Sequence, residues 1–389
     1  MLVLGGLRHW TLASLAAALF LGVGGCSNHG SSGSAPDAAE ASEPSDGGGL
    51  CEASDPVMFA ARRVVAYFPL EYGGVYDLST VDYSIVTHVI EHAVCTDANG
   101  NLDLNALGKQ FPVPNFVPDV HKGGGKALLG LCADAGTDVF GAMASQASAR
   151  ASYVKNVMAL VSQYGFDGLD IDWEFPASAS DKAGLTALVT DLRQALGASR
   201  SLSIAGPPEA NFGQYYDFPS LLPEIDWFGA ETYGYAGPTE SAKADPDAPL
   251  YSVDGGPSVE SSVAYYLGRG VPPDKLLLGV VYYGRLYEGA NELGEHLLNH
   301  AGNNSVEYGA IVPLIGNGWT KYRDVAADVP YLLRSDHDAG VLTYDDTTSV
   351  EAKCTYAATH CLGGAIVWNL GLDVVGNTQP LLEATRVCR

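Results

Sequence analysis

The sequence predicts an α/β protein, a (β/α)8 TIM barrel with a small α+β insertion between strands 7 and 8. Three observations carry that prediction. From residue 62 onward, short apolar runs alternate with helical patterns, the rhythm of β/α units whose strands pair in parallel. The runs number eight. Polar residues suited to chemistry fall at the C-terminal ends of several of them, where barrels of this class gather their active sites. Those residues are Glu174, Tyr233, Arg285 and Trp368.

Taken in order, the first strand is residues 63–68 and the second 85–94, closed by a turn at 97–101. The turn superficially suits calcium, but Leu102 stands where the sharp-turn glycine is needed, so it reads as a plain Asn-Gly turn. The third strand is 126–131. A helical pattern over 146–164 leads into the fourth strand, and a second over 181–196 leads out. Residues 201–205 and 225–233 supply the fifth and sixth strands, the latter followed by a Pro-, Gly- and Asp-rich loop over 236–257. The seventh is 275–285 and the eighth 363–369. Residues 286–345 are too many for a simple connection and contain Val and Tyr runs, hence the insertion.

The fourth strand carries the chemistry. It reads Gly-Phe-Asp-Gly-Leu-Asp-Ile-Asp-Trp-Glu-Phe-Pro over 165–176. Strand residues two apart share a face, so Asp170, Asp172 and Glu174 stack on one side while Leu169, Ile171 and Trp173 face the other. An acidic edge strand kept for solubility would not be wrapped in Phe, Leu, Ile and Trp. Crowded, partly desolvated carboxylates take different pKa values, and one of them stays protonated near neutrality as an acid.

Composition bounds the rest. At 389 residues, with 47% hydrophobic and 17% charged residues, the chain can bury a substantial core. A formal net charge of −24 excludes nucleic acid as a partner but says nothing against a neutral polymer. Residues 1–26 read as an export signal: Arg8, an apolar run over 10–23 that is short for a membrane span, then Val23-Gly24-Gly25-Cys26. That ending resembles a bacterial lipoprotein cleavage box with Cys26 as the lipidated residue. An ordinary secretory signal is the alternative. Residues 27–58 form a Gly-, Ser- and acid-rich linker with little to bury, and 59–389 the barrel domain. The expected location is a membrane-anchored lipoprotein of the cell envelope or surface, or otherwise a secreted protein, with membrane contact only through the anchor and the chain acting as a monomer.

Six further cysteines, an even number in an exported chain, suggest up to three disulfides. The favoured pairings are Cys95 with Cys132 at the ends of neighbouring strands, Cys354 with Cys361 locally, and Cys51 with Cys388 across the two ends. No Cys/His cluster suggests a metal. His296 and His300 have i, i+4 spacing but no third ligand nearby.

With these positions located, Asp167-x-x-Asp170-x-Asp172-x-Glu174 followed by Phe-Pro resembles the catalytic signature of glycoside hydrolase family 18, the chitinases and their relatives. Supporting matches run in order along residues 60–385. They include Val65-Ala-Tyr67-Phe68 in the first strand, Thr87-His88 in the second, Tyr283-Gly-Arg285 in the seventh and Leu362 to Trp368 in the eighth. The resemblance implies retaining hydrolysis in which the substrate's own 2-acetamido oxygen is the nucleophile. Glu174 would be the acid and base, Asp172 would orient the acetamide, Asp170 would share a proton with Asp172, and Tyr233 would donate to the acetamido oxygen. Trp368 would floor the sugar site, with Tyr67, Tyr283 and Glu231 also lining it. Arg285 is either a rim ligand or a partner for an acidic residue. No cofactor or metal is implied.

The pattern also breaks. The sixth-strand motif Met-x-Tyr-Asp reads Glu231-Thr-Tyr233-Gly234, the third strand has Gly130-Leu-Cys132-Ala133 for Ser-x-Gly-Gly, and Glu91 and Ala93 stand where Tyr and Phe are common. The expectation is that Glu91 and Glu231 together reshape the innermost subsite. The expected substrate is a β-1,4-linked N-acetylglucosamine polysaccharide, chitin or chito-oligosaccharides. An endo-β-N-acetylglucosaminidase acting on N-glycans or peptidoglycan is the alternative within the same mechanism. A non-catalytic, lectin-like relative is the alternative outside it.

Overall fold

The computed structural model describes residues 62–69, 76–104, 111–133, 137–236, 243–297, 305–335 and 338–389. The leader, the linker, Cys26 and Cys51 lie outside the described residues. Eight parallel strands close a barrel: Arg63–Pro69, His88–Thr96, Lys126–Ala133, Gly168–Ile171, Ser201–Gly206, Trp227–Ala230, Leu276–Val281 and Gly364–Trp368. Each pairs with the next in chain order, and the eighth pairs with the first.

The strands are apolar on both faces because both faces are covered. In the first strand, Val64, Ala66 and Phe68 pack outward into the helix layer. Val65 and Tyr67 point inward, where they meet Ile90, Leu128, Trp227 and Ile366 to fill the barrel. Local signals set the approach to the fourth strand. Helix Ala147–Tyr164 ends at Gly165, whose φ of 80° only glycine adopts at little cost, and its N–H bonds back to the Val161 carbonyl. Three residues later, at Gly168, the strand begins. Beyond the carboxylates, Ser178 caps helix Ala179–Leu196 by accepting from the Asp181 N–H. Among the described residues no helix is long and apolar enough to cross a membrane.

The connection between the seventh and eighth strands holds a five-stranded antiparallel sheet. Its order is Ser305–Glu307, Tyr283–Glu288, Gly340–Tyr344, Val329–Arg334, Trp319–Asp324. A fully buried ion pair ties this sheet to helix Thr347–Thr359, which leads into the eighth strand: Lys353 Nζ lies 2.5 Å from Asp345 Oδ2.

Two disulfides join described residues. Cys95 bonds to Cys132, adjacent in register on the second and third strands. Cys354 bonds to Cys388, which overturns both the local Cys354–Cys361 pairing and the Cys51–Cys388 pairing. The reason is the helix face. Cys354 is fully buried against the C-terminal turn Thr385–Cys388, whereas Cys361 lies past the helix end at a φ of 60° and is half-buried. Cys361 is itself disulfide-bonded.

Candidate active site

The fourth strand ends at Ile171, and the chain continues through Trp173 to a bend at Glu174. The alternation persists past that end. Trp173 turns outward and stacks on Phe140 with ring centroids 5.2 Å apart, anchoring the segment in the helix layer. On the other side Asp170 is buried, Asp172 half-buried and Glu174 exposed, a gradient from the barrel floor to solvent.

Asp170 is held from two other strands, the first across the barrel and the fifth beside it. Tyr67 donates its hydroxyl to Oδ2 at 2.9 Å, and Ser203, opposite Asp170 in the strand register, donates to Oδ1 at 2.5 Å. Burial raises its pKa to about 6, with the Asp172 charge adding and the two hydroxyls opposing. Asp172 is fixed by its N–H, which donates to the Leu131 carbonyl at 2.9 Å. Its Oδ2 lies 2.5 Å from His92 Nε2. Asp170 and Asp172 lie near enough for the charge of one to raise the pKa of the other.

Glu231 enters from the end of the sixth strand and is 9% exposed. Oxygens of Asp172, Glu174 and Glu231 lie within 4.8 Å of one another. Burial first, then the charges of Glu174, Asp172 and Asp170, hold its carboxyl well above the usual range, which favours its neutral, hydrogen-bond-donating form. The same three carboxylates have a spacing that could hold a cation; nothing else in the site calls for one. Tyr233 stands beside Glu231, its pKa also raised by burial and by Glu231, and remains a phenol donor. Trp368, half-buried at the end of the eighth strand, tilts against Tyr67 at 5.2 Å and meets the His92 ring edge-on at 5.1 Å.

One expectation changes, and one of two alternatives is the one found. Glu91 does not enter the site: period two on the second strand sends Ile90 inward and Glu91 outward, where Oε1 accepts from the Val113 N–H. Burial lifts its pKa to about 8. His92 takes the inward place instead, within the register shift between Glu91 and Val94 in the pairing with the third strand. Arg285 pairs with an acid: its Nε donates to the buried Asp247 at 3.0 Å and its charge lies over the Tyr283 ring. Asp247 also accepts from the Gly234 N–H at 3.4 Å, so a carboxylate from the 243–258 loop reaches the position where the sixth-strand motif lacks one.

Sequence reasoning therefore missed His92, Ser203 and Asp247. His92 and Ser203 were legible from strand parity and register, sharing the inward alternation of Ile90 and Asp170. Asp247 had no such signal, because a loop residue has no period.

Residues 63–373 match the family described as Glycosyl hydrolases family 18. A probable endochitinase of Caenorhabditis elegans is 31% identical over 265 residues, covering 61% of this chain and 42% of its own length. Chitinase A1 of Niallia circulans is 29% identical over 287 residues, covering 63% of this chain and 40% of its own. The chain thus spans about two fifths of these relatives' length. Among solved structures, catalytic domain 2 of the Ostrinia furnacalis Group II chitinase, in complex with (NAG)5, has a TM-score of 0.75 at 26% identity, over 84% of this chain and 96% of that one. The Group IV chitinase of the same moth has a TM-score of 0.76 at 24% identity, over 84% and 100%, and shows the fold.

Proposed function

The chain belongs to glycosyl hydrolase family 18, and from that premise we propose that it is an exported hydrolase of β-1,4-linked N-acetylglucosamine polysaccharide, chitin or chito-oligosaccharides. The mechanism is retaining and substrate-assisted. Glu174, the solvent-facing carboxyl at the cleft mouth, protonates the glycosidic oxygen as that bond breaks. The 2-acetamido carbonyl oxygen attacks the anomeric carbon and closes an oxazolinium ring. Asp172 accepts the acetamide N–H and balances the positive charge, while Tyr233 donates to the acetamido oxygen. Glu174 then takes a proton from water, which opens the ring with the starting configuration restored. Trp368 offers an indole face to the sugar's C–H face. The single observation that carries this reading is the gradient of Asp170, Asp172 and Glu174 from buried to exposed, which puts the acid at the solvent end. Export through the leader and anchoring at Cys26 belong to the same proposal.

The test is product analysis on N-acetylglucosamine oligomers with anomer detection. β product from the wild type, and loss of about 10²-fold or more in kcat for Glu174→Gln, are expected. A Glu174→Gln variant with full activity removes the catalytic assignment. A second reading has one observation in its favour: Glu231 replaces the motif's Met with a polar donor beside the acid. An endo-β-N-acetylglucosaminidase on N-glycans or peptidoglycan fits that change, and parallel assays on those glycans decide between the two.

A further inference from the structure

His92 is the basic side chain set against this carboxylate group, and it touches one member of it. Its Nε2 lies 2.5 Å from Asp172 Oδ2, with side-chain exposures of 13% and 8%. Its ring is held edge-on by two aromatics, Tyr67 at 5.6 Å and Trp368 at 5.1 Å, so the imidazole is a fixed group and not a mobile one. The groups facing this pair come from every element around it. Tyr67 belongs to the first strand, Asp170, Asp172 and Glu174 to the fourth, Glu231 and Tyr233 to the sixth, and Trp368 to the eighth. Two hydroxyl donors stabilise charge on Asp170, and burial favours the protonated form of Glu231. Asp172 has His92.

We propose that His92 is a positioning residue for the reaction. As an imidazolium donating from Nε2 to Asp172 Oδ2, it keeps Asp172 ionised among its neighbouring carboxylates and leaves Oδ1 to accept the substrate's acetamide N–H. The acetamide part of this inference rests on the substrate-assisted reading above; the charge pairing does not. A carboxylate crowded by other acids resists ionisation, and an opposite charge within about 4–6 Å offsets that by roughly 1–3 pH units.

The experiment compares wild type with His92→Gln, which keeps an N–H donor at similar reach without the charge, and with His92→Ala. The acid limb of kcat/KM on N-acetylglucosamine oligomers is expected to move to higher pH by about 1–3 units in both variants. The loss in kcat should be large at pH 5 and small at pH 8, with KM little changed. Carbon-13 carboxyl titration of the free enzyme reads the same shift at Asp172 without turnover. An acid limb and a carboxyl titration unmoved in His92→Gln overturn the proposal. A wild type that cuts no oligomer while the titration still moves refutes the proposed function and leaves the His92 assignment standing.

Discussion

Glu231 gives the sharpest quantitative handle on this site. Its carboxyl is nine-tenths buried beside three other acids, and burial and their charges raise its pKa well above the ordinary glutamate value of 4.5. The linkage sign follows from proton counts. Between pH 4.5 and the folded pKa, the folded chain holds a proton at Glu231 and the unfolded chain does not, so stability falls as pH rises through that window. The slope for one proton is about 1.4 kcal/mol per pH unit across that window. Glu231→Gln has nearly the same shape and no proton to lose. Its stability relative to wild type is therefore expected to be near zero at pH 4.5 and to grow in its favour by about 1.4 kcal/mol per pH unit through that window. Urea unfolding of both proteins at half-unit pH steps reads this directly. Hydrolysis of chito-oligosaccharides should survive Glu231→Gln, which still donates, and suffer in Glu231→Met, which cannot. Parallel stability curves for wild type and Glu231→Gln across pH 4.5–7 would show that Glu231 is ionised in the folded state and refute the reasoning.

Two further predictions follow from buried polar partners. Tyr67→Phe removes a 2.9 Å donor to Asp170. It should cost about 1.5–3 kcal/mol above pH 6, where Asp170 is charged, and less below, where its pKa of about 6 leaves it protonated. Urea unfolding at pH 5 and pH 8 separates the two. Lys353→Ala strands the buried Asp345 carboxylate 2.5 Å from where the ammonium stood, and should lower stability by about 3–5 kcal/mol in chemical denaturation at neutral pH. A Lys353→Ala/Asp345→Ala double variant should recover part of that loss.

What the sequence by itself determined is what periodicity encodes. Eight apolar runs separated by helical patterns specify parallel strands covered on both faces, and they are the eight barrel strands, each within a few residues of its expected place. Period two put Asp170, Asp172 and Glu174 on one side and sent Trp173 to pack on Phe140. The same parity applied to the second strand would have turned Glu91 outward and His92 inward; comparison with the family motif pointed at Glu91 instead.

Tertiary structure alone decided the relations that no period carries. Cys354 chose Cys388 over the nearby Cys361 because disulfides follow which helix face looks at which turn, and not distance along the chain. Asp247 reached Arg285 and Gly234 from a loop whose path is set by what it packs against. The protonation of Glu231 and the pairing of Asp172 with His92 are likewise collective. Charge in a low-dielectric pocket depends on every group within a few ångströms, and only closure of the barrel brings strands one, two, four, six and eight that near.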